Sequence, residues 1–406
     1  MPGWLRNAGA PASRVPNDSS RCMPAAATTP AGGTHSGLAG SRYVDAIGHA
    51  APAMTFDTAA PPHVVAPNHV GRVMRTVLYA LVPAVLVHVA CFGMGLLIQI
   101  LLGTVTALSC EALALKLRGK PLAPFLGDGS AILTAVLLAL CLPPLAPWWL
   151  IVTGTAFAVL LAKHAYGGLG RNPFNPAMAG YAILLVSFPV QLMQWPSPQL
   201  ASHGIDRAME QELFQLSLPE TLGTIVTGTL PQRLSWDAIT SPTPLTALQE
   251  NLKRGMTMDE SHALANADQS GVNAWRWINL AVLAGGVWLL AARIIRWHIP
   301  VAMLGAIAVC ASIMSAFDPG AYAGPMFHLT SGASLLGAFF IATDPVSAAT
   351  SNRGRLIYAA GIGVLTYAIR TWGGHPDGVA FAVLLMNLSV PLIDRFTIPR
   401  IHGHAR

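Results

Sequence analysis

Long apolar runs separated by short polar turns make up most of the chain after residue 75, with one long polar segment in the middle. Each run is close to the roughly 20 residues that a helix needs to cross a bilayer. No stretch alternates apolar and polar residues as membrane strands do, so helices are the expected spanning structure. The pattern predicts an all-α polytopic membrane protein with ten transmembrane helices, at 75–93, 95–116, 129–145, 147–163, 176–194, 274–296, 299–317, 328–343, 355–372 and 377–394.

The segments outside these spans define the domain organisation. The first 66 residues are rich in Ala, Pro, Gly, Ser and Thr and have no apolar run, which is typical of a disordered extension. A start codon assigned too far upstream, with Met54 or Met74 as the true start, is an equal alternative. The expected divisions are a cytoplasmic extension (1–66), spans one to five (67–196), the polar segment (197–273), spans six to ten (274–396) and a cytoplasmic tail (397–406).

Composition and charge agree with a membrane protein and set its orientation. The chain is 53% hydrophobic and 10% charged, whereas about 25% of residues are charged in a soluble domain. The excess of basic residues lies in alternate short loops, which is an orientation signal and argues against a nucleic-acid partner. Both termini are therefore predicted to be cytoplasmic and the segment 197–273 to be periplasmic, because of basic residues such as Lys116, Arg118, Lys120, Lys163, Arg171, Arg293, Arg296, Arg353, Arg355, Arg395 and Arg400.

The two halves show signs of internal symmetry. Span three begins with Gly129-Ser130-Ala131 and span eight contains Gly332-Ala333-Ser334, and both spans are short and bounded by Gly or Pro. An offset of five spans places such pairs in opposite orientations, as in a five-plus-five inverted repeat. Such a repeat also favours a solute transporter or channel without a redox role as the alternative function.

Few side chains inside the spans are polar. His88 is predicted either to make an interhelical hydrogen bond or to relay protons, and Glu111 to reach the nearby interface. Asn387 is expected to bond a neighbouring helix or to line an ion path, and Asp344 and Asp377 to cap helix ends. The five cysteines are too far apart for a metal or iron–sulfur site, so no metal and no disulfide is predicted.

One proline-rich stretch in the polar segment stands out, Ser241-Pro242-Thr243-Pro244. A residue before proline is pushed toward extended backbone, and Pro242 fixes its own φ. Thr243 is therefore predicted to lie on a stiff, solvent-facing loop with its hydroxyl available. By composition alone this is an ordinary loop.

Several long motifs in order resemble the family of D subunits of the Rnf electron-transport complex, which is related to the B subunit of the sodium-pumping NADH:quinone oxidoreductase. The resemblance covers the chain from about residue 65 onward. Its motifs are Asp128-Gly129-Ser130, Leu142-Pro143-Pro144, Tyr166-Gly167-Gly168-Leu169-Gly170-Arg171-Asn172-Pro173-Phe174-Asn175-Pro176, Ala342-Thr343-Asp344-Pro345-Val346, Thr350-Ser351-Asn352-Arg353-Gly354-Arg355 and His375-Pro376-Asp377-Gly378.

The resemblance implies a covalent flavin. In the family, FMN is joined by a phosphoester bond to the last threonine of a Ser/Thr-x-Ala-Thr motif on the outer side of the membrane. Thr243 aligns with that threonine, and Thr240 and Thr246 are the neighbouring alternatives. Pro242 departs from the family pattern, because it stands where the family has alanine and removes one backbone N–H.

The related sodium-pumping protein also implies a second, non-covalent riboflavin toward the cytoplasmic side. Asn172 and Asn175 could hydrogen-bond such a ring, but Asn175 before Pro176 is a standard helix start, and capping is the favoured interpretation for it. The family implies a flavoprotein subunit of a bacterial inner-membrane complex that couples electron transfer between ferredoxin and NAD to ion translocation. The expected partners are a periplasmic flavoprotein subunit, iron–sulfur subunits, small membrane subunits and lipid. No complete active site, and no catalytic residue, is expected in this chain alone.

Overall fold

The computed structural model describes residues 70–198, 216–267, 269–375 and 377–397, and most of the chain in these ranges is helical. The only β pairing in these ranges is one isolated antiparallel bridge between Pro196 and Thr240. The predicted extension 1–66 and nearly all of the tail 397–406 lie outside the described residues.

The first half contains seven helices. A π-helix, which closes hydrogen bonds between residues five apart, continues α5 without a break. The bounds are α1 Val70–Phe92, α2 Gly95–Leu117, α3 Ala123–Leu126, α4 Ser130–Cys141, α5 Trp148–Ala156 with the first π-helix Phe157–His164, α6 Pro176–Ser187 and α7 Pro189–Met193.

The polar segment and the second half contain ten further helices among the described residues. A second π-helix continues α15. The bounds are α8 Leu218–Thr227, α9 Trp236–Ile239, α10 Pro244–Lys253, α11 Met258–Ala267, α12 Gln269–Ala291, α13 His298–Phe317, α14 Pro325–Thr330, α15 Ser334–Leu336 with the second π-helix Gly337–Ile341, α16 Asn352–Trp372 and α17 Val379–Thr397.

The predicted all-α polytopic fold is confirmed, and each of the ten predicted spans coincides with helical structure. Six described helices are long and apolar enough to cross a membrane: Val70–Phe92, Gly95–Leu117, Ala123–Cys141, Asn273–Ala291, His298–Phe317 and Val379–Thr397. Two shorter apolar helices, Trp148–His164 and Pro176–Ser187, match spans four and five. The α16 helix matches span nine.

Span three begins at a break in the backbone, and span eight contains one. Gly129 (φ 78°) immediately precedes α4, and Gly332 (φ 64°) lies two residues before α15. Such positive φ values are strained for residues with a Cβ and easy for glycine. The predicted continuous span 328–343 is therefore in fact two pieces, because Ser331 is extended and Gly332 left-handed between α14 and α15.

The packing of the second half repeats that of the first, as an inverted repeat requires. The α2 helix packs against α4 and α5, and its counterpart α13 packs against α14, the second π-helix and α16. In the same way α5 packs on α6, and α16 on α17. The strongest helix contacts between the halves are α1 with α12 and α6 with α17, and each pairs a helix with its own counterpart.

Residues 216–267 of the polar segment cover one end of the bundle, called the segment end below. The Met258 amide donates to the Gly320 carbonyl (2.9 Å), and the Gln249 side chain donates to the Gly373 carbonyl (3.1 Å). Gly320 and Gly373 belong to the loops that follow spans seven and nine. The loops that follow spans five, seven and nine therefore meet at the segment end, as the alternating topology predicted.

Candidate functional site

Thr243 is the N-cap residue of α10. Its backbone is extended (φ −65°, ψ 158°), and its Oγ1 accepts a hydrogen bond from the Thr246 amide (3.3 Å) and lies 2.9 Å from Thr246 Oγ1. Pro244 occupies the first helical position, where its missing N–H costs nothing. The extended backbone agrees with the sequence analysis, but the solvent-facing loop was wrong, because Thr243 is half-buried at a helix start.

A short pairing holds the Thr243 loop against the end of span five. The Ser241 amide donates to the Trp195 carbonyl (2.9 Å), and the Ser197 amide donates to the Ile239 carbonyl (2.7 Å). These bonds flank the bridge between Pro196 and Thr240. The loop is thus fixed on the bundle by backbone hydrogen bonds that do not depend on side-chain identity.

Thr243 lies on a large cavity at the segment end, called the outer cavity below. Its empty volume is about 1200 Å³, and its lining is mostly apolar. Leu192 and Met193 of α7 border it, as do Leu140 and Cys141 at the end of α4. Polar or aromatic side chains also line it: His88, Tyr181, Trp195, Thr243, Thr246, Trp275, Asn279 and Asp377. Thr246 shares this lining, whereas Thr240 and Pro242 are not among the described lining residues.

An aromatic cluster forms one wall of the outer cavity. The rings of Trp195 and Trp275 lie 4.9 Å apart edge-to-face, and Phe92 contacts both of them. The His88 ring lies 4.9 Å from the Phe92 ring and 6.2 Å from the Trp195 ring. The sequence analysis missed both tryptophans, because no local motif marks them.

The predicted interhelical hydrogen bond of His88 is wrong. His88 is only 1% exposed, yet neither ring nitrogen has a hydrogen-bond partner among the described residues. Buried polar side chains are nearly always bonded, and leaving one without a partner costs about 1–3 kcal/mol.

A second cavity, called the inner cavity below, lies at the other end of span three. Its empty volume is about 1110 Å³, and Asn172 and Asn175 both line it. Asn175 Oδ1 accepts from the Met178 amide (3.2 Å), so the helix-cap interpretation is confirmed. Asn172 donates to the Phe174 carbonyl, but its buried Oδ1 has no partner among the described residues.

The two cavities are separated by a thin wall. Ala177 lines the inner cavity and its neighbour Met178 lines the outer one. In the same way, Phe340 lines the inner cavity and Ile341 the outer one. Neighbouring residues of α6 and of the second π-helix therefore face different cavities. The structure places Thr243 in one cavity and both asparagines in the other.

A buried ion pair borders the inner cavity. Lys163 Nζ donates to Glu111 Oε1 (2.6 Å) and to Ser130 Oγ (2.8 Å), and both charged side chains are 1% exposed. His164 Nε2 lies 3.5 Å from the same carboxylate oxygen. The expectation that Glu111 reaches the interface was wrong, because its partner comes from span four.

A second buried cation, Arg370, binds Asp377, which lines the outer cavity. Arg370 donates to Ser334 Oγ (2.7 Å), to the His328 carbonyl (2.9 Å) and, through Nε and Nη2, to Asp377 Oδ1. Asp377 Oδ2 also accepts from the Ala333 amide (2.6 Å). Asp377 accepts from the Val379 amide as the predicted cap, but its larger role is to pair with Arg370.

The remaining candidates have local roles. The Asn387 side-chain amide lies 2.7 Å from the Tyr358 hydroxyl, so it bonds a neighbouring helix, one of its two predicted roles. Asp344 accepts from the Val346 amide and the Ser347 hydroxyl, as expected of a residue that ends a span.

Comparisons with known proteins agree with this architecture. The sequence profile described as the NQR2, RnfD, RnfE family matches residues 57–403. Three similar curated proteins are each named as the D subunit of an ion-translocating oxidoreductase complex, and in each the match covers 87% of this chain and all of the relative. They come from Escherichia fergusonii (47% identical), Escherichia coli O81 (strain ED1a; 49%) and Escherichia coli (strain SMS-3-5 / SECEC; 48%).

Proposed function

The chain belongs to the NQR2, RnfD, RnfE family, and on that premise we propose that it is the membrane-embedded flavoprotein subunit of an ion-translocating oxidoreductase complex. It passes electrons between partner subunits while ions cross the bacterial inner membrane. The observation that carries this proposal is the position of Thr243, a helix N-cap residue that opens onto a large, aromatic-walled cavity.

The residues around Thr243 fit an FMN joined to its hydroxyl through phosphate. A helix N-terminus favours a phosphate group, because its free N–H groups and the helix dipole both attract negative charge. Thr243 begins a ten-residue helix, and the amide of Thr246 points at its Oγ1. The exposed Pro242 is not among the described lining residues, so its lack of an N–H removes no donor from the cavity.

The outer cavity also suits an isoalloxazine ring. Ligand cavities are typically lined by apolar side chains with a few polar groups, and this one has that character. When bound, flavin supplies the exchange of electrons with one-electron and two-electron carriers. The protein supplies the apolar walls, the Trp195 and Trp275 rings and the anchoring hydroxyl.

The inner cavity is the site proposed for a second, non-covalent flavin, riboflavin. The free Oδ1 of Asn172 is an acceptor for a ring N–H, and the Lys163 ammonium borders the same space. The thin wall formed by residues 177–178 and 340–341 would place two bound rings close together. Electrons could then cross the protein from one end to the other.

Orientation and partners complete the proposal. With both termini cytoplasmic, the segment 197–273 and Thr243 face the periplasm, where a periplasmic flavoprotein subunit can exchange electrons with the outer site. No nicotinamide or iron–sulfur motif occurs in the sequence. Exchange with ferredoxin and NAD therefore belongs to iron–sulfur and other partner subunits.

The decisive test is a Thr243→Ala variant co-expressed with the flavin-attaching enzyme. After denaturing electrophoresis, the parent chain should give a fluorescent band and the variant none, because the phosphoester oxygen is gone. Acid treatment of the same native samples releases only non-covalent flavin, which should remain in both proteins if the inner cavity holds riboflavin.

Thr246→Ala is the matched control, because Thr246 lines the same cavity and bonds Thr243. Its band should persist. A band that survives Thr243→Ala and disappears with Thr246→Ala or Thr240→Ala would move the attachment site. A parent chain without any flavin would instead support the second candidate, a solute transporter or channel, which the repeated packing and the two opposed cavities favour.

A further inference from the structure

His88 is a buried polar side chain that the proposed attachment site does not explain. His88 belongs to α1, its side chain is buried, and it lines the outer cavity. Neither of its ring nitrogens has a hydrogen-bond partner among the described residues. A cost of about 1–3 kcal/mol for such a group is normally avoided. A ligand in the outer cavity, which His88 lines, can supply the missing hydrogen bond.

Four other polar residues of the same lining are already engaged. Asn279 donates to the Thr330 carbonyl (2.7 Å), and Asp377 holds Arg370 and the Ala333 amide. Thr243 and Thr246 bond each other. His88 is thus distinguished from these four by an unused donor and an unused acceptor.

Trp195 connects His88 to the Thr243 loop. The Trp195 carbonyl accepts from the Ser241 amide, two residues before Thr243, while its ring lies 6.2 Å from the His88 ring. One residue therefore touches both the anchoring loop and the imidazole. A group attached to Thr243 that extends into the outer cavity would therefore lie beside the Trp195 ring and point toward His88.

We propose that His88 is a positioning residue that hydrogen-bonds the isoalloxazine ring of the flavin carried by Thr243. The inference rests on the proposed function. A neutral imidazole offers one N–H donor and one acceptor, and the polar edge of an isoalloxazine ring offers both complements. The apolar surroundings strengthen this hydrogen bond, because little water competes for it.

The bond has a measurable electronic consequence. Reduction of the ring by two electrons and one proton, supplied by dithionite and water in a titration, leaves one negative charge on its pyrimidine side. A fixed N–H donor there stabilises the charged form more than the oxidised form, in the manner of preorganised electrostatics. His88 therefore raises the midpoint potential of the covalent flavin.

The test uses the full chain purified in detergent with its covalent flavin, as parent, His88→Phe, His88→Gln and His328→Phe. Phenylalanine keeps the aromatic packing without a nitrogen, and glutamine keeps a hydrogen-bonding group. His328 is the control: it is buried, its Nδ1 is also without a partner, and it is not among the described residues that line the outer cavity. Subtracting the signal of Thr243→Ala isolates the covalent flavin.

All four proteins should keep the fluorescent band. In His88→Phe, the reduced form should lose about tenfold in relative stability, which for a two-electron couple lowers the midpoint potential by about 30 mV. His88→Gln should recover part of this shift, and His328→Phe should show none.

The proposal is overturned if His88→Phe keeps both its band and the parent potential. It is also overturned if His88→Phe and His88→Gln insert normally but lose the band, since His88 would then act in attachment. Absence of the band from the parent is a different result, because it would contradict the attachment at Thr243 itself.

Discussion

At the inner cavity Lys163 lies against Ser130 and Glu111, and at the outer cavity Arg370 lies against Ser334 and Asp377. In both places a cation near the end of a span meets the serine that begins a half-helix after a left-handed glycine. The counter-ions differ. Glu111 comes from span two and is 1% exposed, whereas Asp377 comes from the start of span ten and is 22% exposed.

The same arrangement of a serine, a cation and a carboxylate therefore has a different structural role at each end. Lysine is a compact point charge, and its pair with Glu111 is sealed between spans. Arginine has a planar fork of donors, and Arg370 uses it to join Ser334 at the start of α15, the His328 carbonyl of α14 and Asp377 just before α17. The inner pair is a closed contact, whereas the outer one organises the rim of a cavity.

The largest effect should come from Glu111→Ala. The variant leaves the Lys163 ammonium buried without its counter-ion, which typically costs about 3–5 kcal/mol. Asp377→Ala should cost less, about 2 kcal/mol, because Arg370 keeps two neutral acceptors and water can reach the site. Thermal unfolding in detergent, with the double variant Glu111→Leu/Lys163→Met as control, measures both.

The double variant should recover most of the loss, since replacing a buried pair by apolar residues is often neutral. Equal destabilisation by Glu111→Ala and Asp377→Ala would contradict the distinction between a closed and an open pair.

Alanine at the two left-handed glycines should also distinguish the two ends. Either change costs about 1–2 kcal/mol in backbone strain. At Gly332 the new Cβ would also collide with Leu245, Asp377 and Arg370, which adds about 1–3 kcal/mol, whereas at Gly129 the nearest atom, Met74 Cβ, is 3.5 Å away. Chemical denaturation should therefore rank Gly332→Ala as the more harmful, and the reverse order would show that the rim at Gly332 adapts.

The smallest effect concerns α8, which lies in the polar segment at the segment end. Hydrogen bonds from Arg233 and from Ser217 lower the pKa of Glu220 to about 2. A lowered pKa means that the stabilisation is present above the ordinary value near 4.5 and is lost as the pH falls toward 2. The protection factors of amides 218–227, which correct exchange for its intrinsic pH dependence, should fall as the pH falls from about 5 to about 2, and in Glu220→Gln this fall should disappear.

The spans were predictable because burial in lipid demands long apolar helices, and the charges of the loops indicated their alternation. Thr243 could have been recognised as a cap, since threonine before proline is a common helix start. The partnership of Glu111 with Lys163 was not predictable, because 52 residues separate them and no local pattern relates their spans. The aromatic wall also arises only when the end of span five folds back on span one.

The first π-helix sets the direction of Lys163. Its amide bonds reach five residues back, as from Ala165 to the Leu160 carbonyl (3.0 Å). An α-helix turns about 100° for each residue. The widened turns therefore set the angular position of Lys163 around the helix axis. Deleting a single residue between Phe157 and Ala162 would rotate the ammonium away from Glu111, although Lys163, Glu111 and Ser130 would all still be present.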